Sequence, residues 1–185
     1  VMTLDISGSM IAEDLKPNRL EAAKAVGTEF LSSRPNDNIG LVIFAGESYT
    51  LCPLTTDKKT LVNLMGTIKD GMMDEDGTAI GMGLANAVNR LKDSQAKSKV
   101  IILLTDGTNN RGEIDPMTAS ELAKAYGIRV YTIGVGTKGE APYPVQTIFG
   151  IQKQMVPVEI DEETLEAIAE KTGGHYFRAT NNNSL

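Results

Sequence analysis

The sequence predicts an α/β fold, in which helices cover both faces of a mostly parallel, six-strand sheet in a doubly wound, three-layer sandwich. Short runs rich in β-branched residues are almost wholly apolar, which is typical of strands buried on both faces. Segments with helical spacing alternate with these runs, and such alternation indicates parallel strands joined by right-handed crossovers. A chain of 185 residues is long enough for one core and short for two, so residues 1–185 are predicted to form a single domain.

Six segments are predicted as strands. Four are nearly continuous apolar runs, at residues 1–6, 39–45, 99–105 and 128–135. Residues 175–178 form a short strand at the end of the chain. The segment 49–54 is separated from the strand before it by only Gly46, Glu47 and Ser48, which is too short for a crossover, so it is predicted to turn back as an antiparallel edge strand.

Five helices are predicted between the strands. The clearest apolar stripe comprises Ile80, Leu84, Ala87, Val88 and Leu91. Two further stripes follow Pro17 and Asp57, and the last two follow Asp115 and Asp161, which are placed as N-caps. Gly127 and Gly173 are placed to end those last two helices.

Composition and charge exclude several classes of protein. Asp and Glu outnumber Lys and Arg by 24 to 18, and no basic run is present, so a nucleic-acid partner is not expected. The single Cys52 excludes an intramolecular disulfide, and we expect it to be a small buried apolar group. The longest apolar stretch, residues 100–104, is far below the roughly 20 residues that span a bilayer. Because the chain begins inside an apolar run, we expect it to be an excised part of a larger protein.

The segment 136–157 departs from the alternation of strands and helices. It contains Pro142, Pro144 and Pro157, together with apolar side chains predicted to be exposed: Tyr143, Ile148, Phe149, Ile151 and Met155. A long loop or hairpin is expected there. Either it packs on the edge of the domain or it is an arm that binds a partner.

Five oxygen-bearing side chains are predicted to meet at one edge of the sheet. Asp5, Ser7 and Ser9 follow the first strand, Asp106 follows the strand 99–105, and Thr78 lies just before the helix that carries Ile80 and Leu84. In open parallel sheets the ligand crevice lies beyond the carboxyl ends of the strands. The sequence therefore predicts one site built from three separated stretches.

The chemistry of this set predicts a hard divalent cation. All five side chains offer oxygen, and neither thiolate nor imidazole is among them, which favours Mg²⁺ or Mn²⁺ over zinc or copper. Two carboxylates match one divalent charge. Small ligands that complete only part of an octahedron leave a position for an incoming acidic group.

These residues carry a resemblance to a known family. Asp5-x-Ser7-x-Ser9, Thr78 and Asp106 resemble, position for position, the metal-ion-dependent adhesion site of von Willebrand factor A domains. The similarity covers essentially the whole chain. Within that superfamily, residues 17–24, 39–44, 134–136 with Ala141-Pro142, and 173–177 are similar to the bacterial aerotolerance (Bat-type) membrane proteins.

The resemblance implies a fold, a site and a function. The fold is a Rossmann-like six-strand sheet of order 3-2-1-4-5-6 with one antiparallel edge. Ser7 and Ser9 would coordinate Mg²⁺ directly, Asp5, Thr78 and Asp106 directly or through water, and a Glu or Asp of a protein partner would complete the shell. The implied function is non-enzymatic adhesion or scaffolding in a bacterial inner-membrane aerotolerance or stress complex. The domain would face the periplasm, with membrane anchoring only through segments absent from this chain.

Other interpretations are left open by the residues alone. Asp5, Ser7 and Ser9 could be ordinary turn formers. The same ion could serve a Mg²⁺-dependent phosphoester hydrolase, although Ser7 stands where such enzymes carry a second Asp. A structural domain could instead assemble through the segment 136–157. The run of acidic residues at 74–76 lacks the twelve-residue Ca²⁺ loop pattern and is expected to be a solvated loop.

Two motifs are rejected as false leads. Gly134-x-Gly136-x-x-Gly139 matches the dinucleotide fingerprint, but the prolines that follow prevent a helix from opening there. A serine hydrolase needs a base, and the single histidine, His175, is expected to be an ordinary strand residue. The triplet Asn182-Asn183-Ser184 has a glycosylation pattern and is given no role.

Overall fold

A computed structural model describes residues 1–148, 150–158 and 160–180. Its strands are β1 (Met2–Asp5), β2 (Ile39–Phe44), β3 (Ser48–Thr55), β4 (Lys99–Thr105), β5 (Ile128–Val135), β6 (Gly139–Thr147), β7 (Gly150–Val158) and β8 (Tyr176–Ala179). Its helices are α1 (Arg19–Ser33), α2 (Lys58–Thr67), α3 (Ile80–Leu91), α4 (Pro116–Ala125) and α5 (Glu162–Thr172), and a 3-10 helix covers Gly8–Ile11. Phe149 and the triplet at 182–184 lie outside the described residues.

Six strands form the main sheet, in the order β3-β2-β1-β4-β5-β8. All neighbours are parallel except β2 and β3, which run antiparallel. The predicted α/β class, the strand order and the antiparallel edge are therefore confirmed. β1 lies between β2 and β4 at the point where the strand order reverses, which is where ligand crevices open in sheets of this kind.

The sheet is buried on both faces. One cluster joins it to α1 and α2 through Leu20, Leu31, Leu61 and Met65, and the other joins it to α3, α4 and α5 through Leu84, Ala123, Ile168 and their neighbours. In β4, Leu103 belongs to the second cluster and Leu104 to the first. Successive side chains of a strand point to opposite faces, so a continuous apolar run is what a sheet covered on both sides requires.

Local signals set the helix ends as the sequence predicts. Asp57, Asp115 and Asp161 each accept a hydrogen bond, about 3.0 Å long, from the backbone N–H of the threonine three residues later. Asn18 caps α1 in the same way, and its amide oxygen lies 2.8 Å from the Glu21 nitrogen. Gly173 has φ of 74°, a left-handed conformation that ends α5. These caps fix where each loop leaves the edge of the sheet.

The segment that breaks the alternation is a hairpin. β6 and β7 pair antiparallel as a separate two-stranded sheet, with Thr147 opposite Gly150 near the tip. Ile148, Ile151 and Met155 are exposed, as predicted. Tyr143 was predicted to be exposed, which is wrong: it is half-buried, because the Glu13 backbone N–H donates to the Pro142 carbonyl (2.8 Å) and holds β6 against the loop after β1.

Two further expectations concern single features. Cys52 is buried in the core beside α2, as expected for a small apolar group. Among the helices of the described residues, none has the length and apolar character needed to cross a membrane.

Candidate metal centre

Asp5 is the last residue of β1 and is fully buried. Its Oδ2 accepts a 2.6 Å hydrogen bond from the Thr105 hydroxyl, and its Oδ1 accepts one of 2.9 Å from the Ser7 backbone N–H. Thr105 ends β4, the parallel neighbour of β1. The sheet topology therefore orients this carboxylate, and the turn after β1 wraps around it.

The surroundings of the Asp5 carboxyl group disfavour its ionised form. Burial, and then the negative charge of Asp106, raise the pKa of Asp5 to about 7, against the opposing effect of its hydrogen bonds. Burial also raises the pKa of Asp106, although Arg19 opposes this. A nearby cation would favour the ionised form of both groups. The electrostatics of the pair thus fit a bound cation.

The two serines connect Asp5 to Asp106. The hydroxyls of Ser7 and Ser9 lie 3.0 Å apart, and the Ser9 hydroxyl donates to Asp106 Oδ1 over 2.8 Å. Ser7 is buried at the start of the 3-10 helix, whereas Ser9 is exposed on it. Residues of two strands that are distant in sequence are thereby brought to one rim.

Thr78 approaches the same rim from the loop before α3. Its backbone N–H donates to the Asn110 side-chain oxygen (2.9 Å), and its carbonyl accepts from the Asn110 N–H (3.0 Å). Its hydroxyl lies beside the loop after β4, since a Cβ placed on Gly107 would be 3.1 Å from Thr78 Oγ1. Asn109 holds the same loop to α3, because its side chain accepts from the Ile80 N–H (2.8 Å).

An open cleft of about 390 Å³ lies over this rim. Ser9, Thr78 and Asp106 line it directly. Asp5 and Ser7 lie behind them and join them through the hydrogen bonds described above. All five predicted side chains are therefore brought to one place at the carboxyl ends of the strands.

Sequence reasoning missed an arginine at this site. Arg19 is 2% exposed, and its Nη1 donates to Asp106 Oδ2 over 2.6 Å. Its Nε and Nη2 donate to the two carboxylate oxygens of Asp14, each over 2.7 Å. A sequence signal existed: Arg19 is the first residue of α1, at the positive end of the helix dipole, where a cation is unfavourable without acidic partners.

Asp14 extends this network to the base of the hairpin. Its Oδ2 accepts hydrogen bonds from the Thr137 backbone N–H (2.7 Å) and hydroxyl (3.0 Å). Burial raises the pKa of Asp14, but the hydrogen bonds from Arg19 and Thr137 outweigh it and lower the pKa to about 2. Asp14 is therefore charged at neutral pH, and it holds the guanidinium in place.

Charge and donor type together define what the cleft can hold. With Asp5 ionised, the carboxylates of Asp5, Asp14 and Asp106 carry three negative charges against the one positive charge of Arg19, so two negative charges in this network remain for a divalent cation to balance. No cluster of three or more His, Cys, Asp or Glu side chains suited to a metal occurs within the described ranges. A cation here must accordingly rely on hydroxyl oxygens as well as carboxylates, which suits Mg²⁺ or Mn²⁺.

The rejected motifs lie elsewhere or have other structures. His175 immediately precedes the edge strand β8, level with the middle of β5, and it is not among the residues that line the cleft. After Gly134 and Gly136 the chain enters β6 at Gly139 and not a helix, so no dinucleotide site opens there. The acidic residues 74–76 are exposed, as predicted.

Comparison with known proteins agrees with the fold. The chain matches the family model of the von Willebrand factor type A domain over residues 1–185. An uncharacterized protein of Borreliella burgdorferi is 37% identical over 180 residues, which are 96% of this chain and 52% of that protein. The chain therefore spans about half the length of this curated relative.

Two solved structures are similar over nearly the whole chain. An aerotolerance-related membrane protein from Bacteroides fragilis has a TM-score of 0.87 and 30% identity, covering 99% of this chain and 92% of that one. The conserved hypothetical protein BatB from Bacteroides thetaiotaomicron has a TM-score of 0.84 and 31% identity, covering 99% and 90%.

Proposed function

The chain belongs to the von Willebrand factor type A family, a family of metal-dependent adhesion and protein-interaction domains, and we propose that it binds a protein partner through a divalent ion. The ion is Mg²⁺ or Mn²⁺. The proposed ligands, direct or through water, are Asp5, Ser7, Ser9, Thr78 and Asp106. A Glu or Asp of the partner takes the position that these residues leave open.

One observation carries this proposal. A chain of hydrogen bonds runs from Asp5 through Ser7 and Ser9 to Asp106, and it ends in the cleft that Thr78 also lines. Asp5 makes the turn bond to the Ser7 N–H that an ordinary turn former would make, but its other oxygen is held across the sheet by the Thr105 hydroxyl. It also converges with Asp106, a second buried carboxylate from a separate stretch, and the pKa values of both are raised. A divalent cation bound beside them would stabilise the ionised forms of both carboxyl groups.

Each residue has a distinct part in holding the ion and presenting it. Asp5 and Asp106 supply the negative charge, while Ser7 and Ser9 are neutral donors. The bound ion supplies an electrophilic centre for an incoming carboxylate. Arg19 occupies Asp106 Oδ2 and so leaves Oδ1 directed toward Ser9.

The relatives suggest the setting of the domain. The similar structures are described as an aerotolerance-related membrane protein and as BatB, and the chain spans 52% of its Borreliella relative. We place it as part of a larger bacterial inner-membrane protein, within an aerotolerance or stress complex. The domain would face the periplasm and be anchored by segments outside this chain.

The proposal treats the domain as a binding module and not as an enzyme. Within the described residues, the one histidine is not among the side chains that line the cleft, so no imidazole base faces it. Incubation of the purified domain with p-nitrophenyl phosphate and Mg²⁺ should give no turnover above buffer. Turnover that disappears in Asp5→Ala would establish a phosphoester hydrolase instead.

Partner capture tests the proposed function itself. Immobilised domain is incubated with membrane extract of the source organism, with Mg²⁺ or with chelator, beside Asp5→Ala and beside Asp74→Asn. Asp74 is exposed in the acidic loop and lies outside the proposed ligand set, so its variant controls for the loss of one charge. The wild type and Asp74→Asn should retain the same proteins only with Mg²⁺. Equal recovery in every arm would reject the metal bridge, and would favour assembly through the hairpin.

A further inference from the structure

The cleft over the proposed metal centre is lined by side chains of two kinds. The polar ones are Ser9, Arg19, Thr78, Asp106, Thr108 and Asn110. The largely apolar ones come mostly from the base of the β6–β7 hairpin, and together they are called the apolar wall: Ala12, Tyr143, Val156, Pro157 and Val158.

The hairpin base is fixed in position beside the serine turn. The Glu13 N–H donates to the Pro142 carbonyl over 2.8 Å, and Lys153 of β7 forms an ion pair with the Glu13 carboxylate. Ala141 is fully buried and pairs with Val156 across the hairpin. The Tyr143 hydroxyl reaches the turn, since a Cβ on Gly8 would lie 3.4 Å from it. The apolar wall is therefore a built feature of the cleft.

The size of the cleft exceeds what one carboxylate fills. Its volume of about 390 Å³ falls within the range of about 300–1,000 Å³ found for small-molecule pockets. Charge complementarity assigns the polar side of the cleft to a carboxylate on the ion. The remaining space is bordered by valine, proline and tyrosine side chains, which contact apolar groups favourably.

We propose that the partner segment carries a large apolar residue, such as Leu, next to its acidic residue, and that this side chain packs against Tyr143, Val156 and Val158. The inference rests on the proposed function. It adds that the hairpin base selects which acidic segments bind, in the way that an apolar pocket beside a charged group supplies specificity in peptide recognition.

Selection from a random peptide library displays this specificity. The intact chain is panned with Mg²⁺ and, in parallel, with chelator. Peptides enriched only with Mg²⁺ should share an Asp or Glu with a large apolar residue beside it. Enrichment of acidic residues with no preference beside them would overturn the inference and leave the proposed function standing. No enrichment that depends on Mg²⁺ would count against both.

A matched pair of variants tests whether the preference for an apolar residue in the peptide comes from the apolar wall. An enriched peptide is compared with its copy in which Ser replaces the apolar residue, using fluorescence polarisation in Mg²⁺. Wild type should prefer the apolar peptide about tenfold, the scale of burying one aliphatic side chain. Val156→Thr keeps the side-chain shape and should reduce that ratio toward one. Ile151→Thr, at an exposed site near the hairpin tip, should retain it.

The controls separate the two claims. Asp106→Asn should weaken both peptides together, because it acts on the ion and not on the wall. A ratio unchanged by Val156→Thr and by Val158→Thr, in folded protein, would overturn the assignment to this wall.

Discussion

Replacing Arg19 with Met should be among the most damaging single changes near the cleft. The guanidinium is 2% exposed and forms ion pairs with Asp106 and Asp14, whose side chains are 0% and 4% exposed. Met keeps much of the aliphatic bulk but leaves both carboxylates without their cation. Removing one partner of a buried ion pair costs about 3–5 kcal/mol, and we expect a loss in this range.

Urea unfolding followed by circular dichroism, at pH 7 with chelator, measures this loss. Arg34→Met is the matched control, since Arg34 is 56% exposed and lies 3.9 Å from Asp37. That exposed pair should contribute about 1 kcal/mol or less. Arg19→Lys should fall between the two, because a lysine ammonium lacks the planar fork that reaches both carboxylates. An Arg19→Met variant within about 1 kcal/mol of wild type would refute the account of this network.

Three further predictions concern the same region. Asp14 has a pKa of about 2 in the fold against an ordinary 3.8, so its contribution to stability is full above about pH 4 and is lost as pH falls toward 2. The difference in Tm between wild type and Asp14→Asn should therefore shrink as the pH is lowered from 4 to 2. Gly136→Ala should lower the free energy of unfolding in urea by about 1–3 kcal/mol, since the φ of Gly136 is 137° and a Cβ would lie 2.8 Å from the Arg19 guanidinium carbon. Gly139 shares the positive φ, but a Cβ there would meet no atom within 4 Å. An equal loss of stability in Gly136→Ala and Gly139→Ala would therefore contradict the packing argument. Mg²⁺ at about 100 times its Kd should stabilise wild type by about 2.7 kcal/mol, and it should stabilise Thr78→Ala by less. Equal increases in Tm on adding Mg²⁺, measured by thermal denaturation, would show that Thr78 is not part of the site.

Features that depend on local pattern could be predicted from the sequence. Apolar runs locate four of the six strands of the main sheet, and the observed ends differ by a residue or so: the strand predicted at 39–45 is Ile39–Phe44. The short connection after β2 predicts the antiparallel edge, because too few residues are available for a crossover. Asp57, Asp115 and Asp161 mark helix starts through bonds to nearby backbone groups.

The five proposed ligands could be grouped from the sequence because of sheet topology and not because of local pattern. Parallel strands end at the same edge of a sheet, so residues that follow β1 and β4 are placed together by topology alone. Their role as metal ligands is still a prediction, whereas their convergence around one cleft is what the fold provides.

The remaining features of the cleft depend on tertiary contacts. Arg19 meets Asp106 across 87 residues of sequence, and Asp14 meets Thr137 across 123, so neither pairing follows from spacing. Tyr143 was predicted to be exposed because it lies in the proline-containing segment 136–157, which departs from the alternation of strands and helices. Its half-burial comes from the contact of β6 with the loop after β1, which the pattern of one strand does not encode.

The most direct test of the metal centre is an anomalous difference map from crystals of the chain grown with Mn²⁺. We expect one strong peak in the cleft, at about 2.0–2.3 Å from the Ser7 and Ser9 hydroxyl oxygens, and no such peak in crystals of Asp106→Asn. A map without density there at saturating Mn²⁺, or with its peak at the exposed acidic loop 74–76, would contradict it.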